Sequence, residues 1–304
     1  MIIVLTKALA FILIIILGYL LKKIGFFEKK DYKIISKIMI NITLPAAIIT
    51  AYDNFKINNS LLFVVLLGFL FNVIMLSLGY FVSKNKEKST RAYYMLNFPG
   101  YNIGSFTLPY VQSFLGSFGV IITCMFDTGN AIMCTGGSYA ITSSVTGTEK
   151  GGGIKEIAKK LLSSTPFVVY MSLLLTTMLG IRIPKVIISI TSVVGAANAF
   201  LAMLAIGMMF ELNFEMKYFK HIAVTLLVRY IMAAVFSALI YFYMPFSKEI
   251  RQVLAIVLFA PIPSLSPVFT ERCCGDGSVA SVTNSISIVL SIAIITTVLM
   301  FMNI

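Results

Sequence analysis

From Ser60 to Val82 the chain reads "SLLFVVLLGFLFNVIMLSLGYFV" without one charged side chain, and comparable apolar runs recur along its length. Hydrophobic side chains make up 59% of the 304 residues and charged ones only 12%, roughly half the usual charged share of a soluble domain. That is too little polar surface to coat a water-exposed globule. A bilayer removes the need, because a helix of about 20 apolar residues satisfies its own backbone where no water can. The sequence therefore reads as an all-α polytopic membrane protein with no large soluble domain.

Ten runs fit spans. The first reaches Leu20 before charges begin, lacks a small-residue cleavage site and reads as a retained helix. The others cover about 34–50, 60–82, 91–116, 117–143, 163–181, 186–210, 221–243, 250–270 and 277–302. Lysines and arginines fill the gaps between runs unevenly. Seventeen, including Lys22, Lys23, Lys84, Lys86, Lys155, Lys160 and Arg272, fall on one side and six, including Lys7, Lys56 and Arg182, on the other. The positive-inside rule then puts the richer side in the cytoplasm and both termini outside. This distribution, with basic residues facing headgroups, favours a lipid partner over nucleic acid as the reason for the net charge of +12. The abundance of Ile, Lys and Asn suggests an AT-rich bacterial genome, hence a bacterial inner (plasma) membrane. Four cysteines show no disulfide or CxxC pattern.

The fourth and ninth runs differ from the rest. "RAYYMLNFPGYNIGSFTLPYVQSFLG" (91–116) and "VLAIVLFAPIPSLSPVFT" (253–270) are broken by proline and, in the first, glycine. Each is fourth in a set of five, so the chain divides into a first repeat (1–143), a cytoplasmic linker (144–162) and a second repeat (163–304) that enters the membrane from the opposite face. Inverted repeats with discontinuous helices at matching positions point to a secondary transporter. At a break, N–H groups at one half-helix and carbonyls at the other lose their partners and can bind an anion or a cation. Asn97, Asn102, Ser105 and Thr107, with Pro109, are the candidates at the first break; Ser264, Ser266 and Pro267 are those at the second. Capping of interrupted backbone is the plainer role for the same side chains.

These breaks resemble the auxin efflux carrier family, which includes bacterial malate and malonate permease-like proteins and the plant PIN carriers. The resemblance rests on "NIGSFTLP" (Asn102 to Pro109), on "APIPSLSPVFTERCCGDGSVASVTNSISIVLS" (260–291) and on "GYLLKKIGFFEKKD" after the first helix. Thr107 stands where family members often have glycine. The resemblance implies the NhaA-like, bile-acid-symporter-like architecture: two inverted five-helix repeats, helices 4 and 9 crossing at the centre, and a homodimer formed through helices 1, 2, 6 and 7. It also implies a small organic carboxylate substrate, such as malate, malonate or an auxin-like acid.

Asp127 is the one acidic residue deep inside a run, where an unpaired charge costs roughly 2.5–3.5 kcal/mol. Asn130 shares its helix face. The pair suits coupling to protons or sodium, with Asn284 in the last helix as a further ion-binding candidate beside Ser281 and Ser285. Asp127 could equally be the structural counter-charge of Arg229, which could itself attract a substrate carboxylate or snorkel to the interface. Asn41 and Pro45 read as a kink with a satisfied polar group, and His221 as interfacial. No phosphate-binding GK[ST] loop and no His/Cys metal spacing occurs, and few titratable groups lie within the runs, so no cofactor, metal or enzymatic activity is expected. A passive anion pore or a membrane ligand sensor is the competing function.

Overall fold

The computed structural model describes residues 2–28, 30–53, 60–148, 153–210 and 216–302, and its regular structure there is helical throughout. Helix α1 (Ile2–Lys23) is followed by α2 (Tyr32–Ile38), which passes through a π turn at Met39–Thr43 into α3 (Leu44–Ala51), and by α4 (Ser60–Ser83). Next come α5 (Lys88–Asn97), a π turn at Ile103–Thr107, α6 (Leu108–Ile132), another at Met133–Gly137 and α7 (Ser138–Thr146). The remainder comprises α8 (Ile154–Leu162), α9 (Thr165–Met178), α10 (Lys185–Ala196), α11 (Asn198–Met209), α12 (Phe219–Tyr243), α13 (Lys248–Val257), α14 (Ser266–Arg272) and α15 (Gly277–Phe301).

Among the described residues seven helical stretches are long and apolar enough to cross a membrane, or up to eight if α8 and α9, bent by 81°, act as one. The chain is thus an all-α polytopic membrane protein. Ten runs exceed this number for a geometric reason. At 1.5 Å per residue, α5 and α13, with 10 residues each, rise about 15 Å, half of a hydrocarbon core. Gly116 (φ +63°) leaves the helical region inside α6, at the point where the sequence separates the fourth run from the fifth.

The stretch 144–162 is not only a linker, since it contains α8. Its signal is in the sequence: Ile154, Ile157, Ala158 and Leu161 recur at helical spacing, and Lys160 Nζ lies 3.1 Å from Glu156 one turn earlier. The same ammonium sits 5.9 Å from the Tyr139 ring centre and 6.0 Å from that of Phe269, tying α8 to α7 and α14. Gly152 falls outside the described residues, as do Lys29, Lys56 and Lys150 of the charge count. Asn41 is satisfied where a π turn interrupts the helix: its amide donates to Lys37 O (2.9 Å) and accepts the Thr165 hydroxyl (2.6 Å).

Lipid-facing stripes follow helical spacing. On α12 Leu227, Ile231, Val235, Leu239 and Phe242 are exposed, four or three residues apart. Inward faces instead use small residues that let backbones touch. A Cβ on Gly129 would stand 2.0 Å from Val65 O, and one on Gly68 would stand 2.2 Å from Phe126 O, so α4 and α6 cross in backbone contact. That contact brings Asn72 and Asn130, one turn beyond Gly68 and beside Gly129, up to the first break.

Candidate functional site

The two breaks meet. Asn102 N–H donates to Pro261 O at 2.9 Å, and the Asn102 amide donates to Ser264 Oγ at 3.2 Å. At Gly100, where φ is +87°, a Cβ would lie 2.4 Å from Pro263 Cγ; only glycine accepts both the left-handed backbone and the approach.

Side-chain amides close the first break. Asn72 Oδ1 accepts Gly100 N–H at 2.6 Å, while Asn130 accepts Tyr101 N–H at 3.1 Å and donates to Tyr101 O at 3.0 Å. Asn72 Nδ2 also donates to Asn130 Oδ1 (3.1 Å). The second break is closed from α15: Asn284 Nδ2 donates to Ile262 O (3.0 Å) and Pro263 O (3.1 Å), Ser287 Oγ accepts Ile262 N–H (3.0 Å), and Ser291 Oγ donates to Phe259 O (2.7 Å). Buried polar groups that lack partners cost about 1–3 kcal/mol each, which is why these amides sit here.

Arg229 joins the two. Buried in α12, its guanidinium donates to the carbonyls of Asn97 (3.4 Å), Phe98, Pro99 (3.3 Å) and Gly100 (2.8 Å) at the first break, and of Ala260 (3.2 Å) at the second. No ion pair with Asp127 forms; the only ion pair among the described residues is Lys160–Glu156. Of the two roles open to Asp127, that of counter-charge to Arg229 is therefore taken by backbone carbonyls, acceptors that a side-chain sequence does not display. Asp127 is half-buried and accepts from Asn130 Nδ2 at 2.8 Å and from Tyr170 OH at 3.3 Å.

The sequence candidates thus divide. Asn102 and Ser264 meet directly. Thr107 is buried and turns inward, its Oγ1 and N–H both donating to Asn102 O (2.9 and 3.1 Å); Pro109 lies in the first turn of α6, where its missing N–H is no loss. Ser105 is half-buried in the π turn. Ser266 N–H donates to Pro263 O (3.0 Å) and Ser266 O accepts the Thr270 hydroxyl (2.7 Å). Asn130 and Asn284, expected as ion ligands, are engaged with backbone. Asn72 was missed, although a lone amide in so apolar a run had to find a polar partner.

A cavity of about 630 Å³ extends from the second break to the basic end of α1. Ser264, Pro267 and Asn284, at the second break, and Lys22, Lys23 and Tyr32, at the basic end of α1, all line it; no carboxylate is among the described residues that line it. Lys22 Nζ donates to Phe210 O (2.9 Å), bridging α1 and the end of α11. Ser264 accepts from Asn102, and a hydroxyl that accepts one bond keeps an O–H to donate. His221 stands apart, 2.9 Å from Tyr94 OH.

Residues 3–164, just over half of the chain, match the family described as membrane transport protein. No curated protein matches the chain at a significant level.

Proposed function

The chain belongs to the auxin efflux carrier family of membrane transport proteins, and we propose that it carries a small organic carboxylate by alternating access, as a secondary active transporter or facilitator. The observation that carries this reading is the cavity with lysines at one end and the joined breaks at the other. Lys22 and Lys23 give it a positive outer end, and the Ser264 hydroxyl offers a donor at its floor. A carboxylate entering from the basic side meets charge first and a positioned hydrogen bond second.

Asn130 and Asn284 support an inverted repeat, since each lies in the run that follows a broken run, the fifth and the tenth, and holds that break's backbone. With α5 paired to the segment after the first π turn, and α13 to α14, the broken helices complete ten crossings. By the positive-inside rule the Lys22 end is cytoplasmic, both termini are extracytoplasmic, and the cavity opens inward, in a bacterial plasma membrane. The exposed apolar faces of α1 and α10, including Leu9, Leu13, Ile190 and Val193, suit lipid or a second copy joined through helices 1, 2, 6 and 7.

Asp127 is the group assigned to proton coupling. Its Oδ1 holds the Asn130 amide that holds Tyr101, so gain of a proton there is felt at the break through one side chain; Tyr170 on α9 faces it as well. Counterflow in proteoliposomes tests the function: unlabelled malonate or malate inside should accelerate entry of the labelled acid. Entry that never responds to substrate on the far side, for any of the acids transported, would identify a pore instead.

A further inference from the structure

A buried guanidinium without a carboxylate needs its charge balanced, and here the balance comes from the backbone. The carbonyls that Arg229 contacts lie at and just beyond the C-terminal ends of α5 and α13. Each such end carries roughly half a negative charge, so two of them together match one cation. The Tyr101 ring, centred 5.7 Å from the guanidinium carbon, adds its negative face. Converging carbonyls at discontinuous helices are also the chemistry that binds a mobile alkali cation in a carrier. In this chain the position is taken by a cation that cannot leave.

We propose that Arg229 is the resident cation of the crossed breaks: it fills the carbonyl cluster that a mobile sodium or potassium ion would need, and it holds the two breaks together with no requirement for either ion. An arginine suits this place better than a lysine. Its five N–H donors in a planar fork reach carbonyls of both breaks at once, whereas an ammonium is a compact point donor. Because the cluster is saturated, coupling is left to protons rather than alkali cations, and Asp127, which makes no ion pair with a described residue, is the group that carries it. This inference rests on the reading of the joined breaks as the transport site, but its first test needs no substrate.

The purified protein is melted in equal concentrations of sodium, potassium and choline chloride. The midpoint should be the same in all three, because the cluster has no vacancy to fill. Arg229→Ala should lower the midpoint by roughly 5 °C or more, the usual scale for breaking a buried hydrogen-bonded charge network. Addition of about 10 mM guanidinium, far below denaturing concentrations, should recover part of that loss by binding the folded state only. Arg229→Lys, which keeps the charge but not the fork, should fall between. A saturable stabilisation of the unaltered protein by sodium or potassium over choline overturns the proposal, as does an Arg229→Ala protein as stable as the parent or one that guanidinium does not rescue. Should Arg229→Ala fail to fold, the salt series on the unaltered protein and Arg229→Lys still decide. Carboxylate counterflow is then measured in sodium and in choline. Equal counterflow in both agrees with the proposal, counterflow only in sodium overturns it, and absence of counterflow in either, with the melting pattern intact, counts against the transport reading alone.

Discussion

Replacing Asn130 tests whether the amides at the breaks are ion ligands or substitutes for backbone. The side chain is 2% exposed and makes two bonds to Tyr101, accepting its N–H at 3.1 Å and donating to its carbonyl at 3.0 Å. Truncation in Asn130→Ala strands both groups inside the protein. At about 1–3 kcal/mol for each unpaired group, the loss is roughly 2–6 kcal/mol, or a fall in melting midpoint of roughly 5–15 °C. Asn130→Asp is close in shape and keeps the acceptor oxygen. Its second oxygen, however, would face Tyr101 O and Asp127 Oδ1, which now receive bonds at 3.0 and 2.8 Å. Two acceptor pairs and a like-charge contact make it at least as damaging as alanine at neutral pH. A single proton on either carboxylate restores a donor, so the folded protein binds more protons than the unfolded chain and the variant should gain stability as pH falls. The chain has no tryptophan. Melting is therefore best followed with a thiol-reactive dye, since Cys124 and Cys273 are buried. An Asn130→Ala midpoint within a degree or so of the parent, or an Asn130→Asp protein that is stable at neutral pH and indifferent to acid, would refute the capping argument.

Four other substitutions probe the same region. Gly100→Ala combines a left-handed backbone, at about 1–2 kcal/mol for an L residue, with a Cβ 2.4 Å from Pro263; it should separate the breaks and abolish carboxylate binding, and wild-type binding would be inconsistent with their contact. Asn102→Ala removes the bond to Ser264 at 3.2 Å and should weaken binding by about 1 kcal/mol, with Ser264→Ala non-additive in a double-mutant cycle; additive effects would mean that the two side chains act separately. Asp127→Asn should flatten the pH dependence of counterflow while leaving the melting midpoint near that of the parent, and an unchanged pH profile would remove Asp127 from coupling.

The interruptions in the fourth and ninth runs were legible because proline and glycine act locally: a residue that cannot donate, or that adopts φ +87°, marks its own place in the chain. The Asp127–Asn130 pair was legible for a similar reason, since i,i+3 spacing alone puts the two side chains together, and they bond at 2.8 Å. What held the breaks was harder to read. Arg229 finds its acceptors 31 to 132 residues away, and those acceptors are carbonyls, present at every residue and distinguished only by where helices stop. A sequence invites the search for a carboxylate because only carboxylates are written in it. Asn72 is the same case: beyond the local bond to Gly68 O on its own helix, its partners Gly100 and Asn130 are set by how α4 packs on α6 and the first break.

The way the breaks are closed bears on how tightly such a site can bind. Had the half-helix ends been left open, an anion would gain every orphaned N–H group and would be slow to leave. Here the N–H groups of Gly100, Tyr101, Asn102 and Ile262 are already bonded to Asn72, Asn130, Pro261 O and Ser287. On the proposed reading, a carboxylate in the cavity would gain the Ser264 hydroxyl and the field of Lys22 and Lys23, a modest set of contacts. A carrier must release what it binds, so binding has to be strong enough to select and weak enough to end. Substituting amide and guanidinium groups for ligand at the breaks keeps the crossed helices intact when the site is empty, and it leaves substrate affinity to be set by the few polar groups that face the cavity. Selectivity among acids should then respond to Ser264 and to the cavity wall at Ser281 and Ser285, while changes at Asn72, Asn130 or Arg229 should lower binding of all acids together.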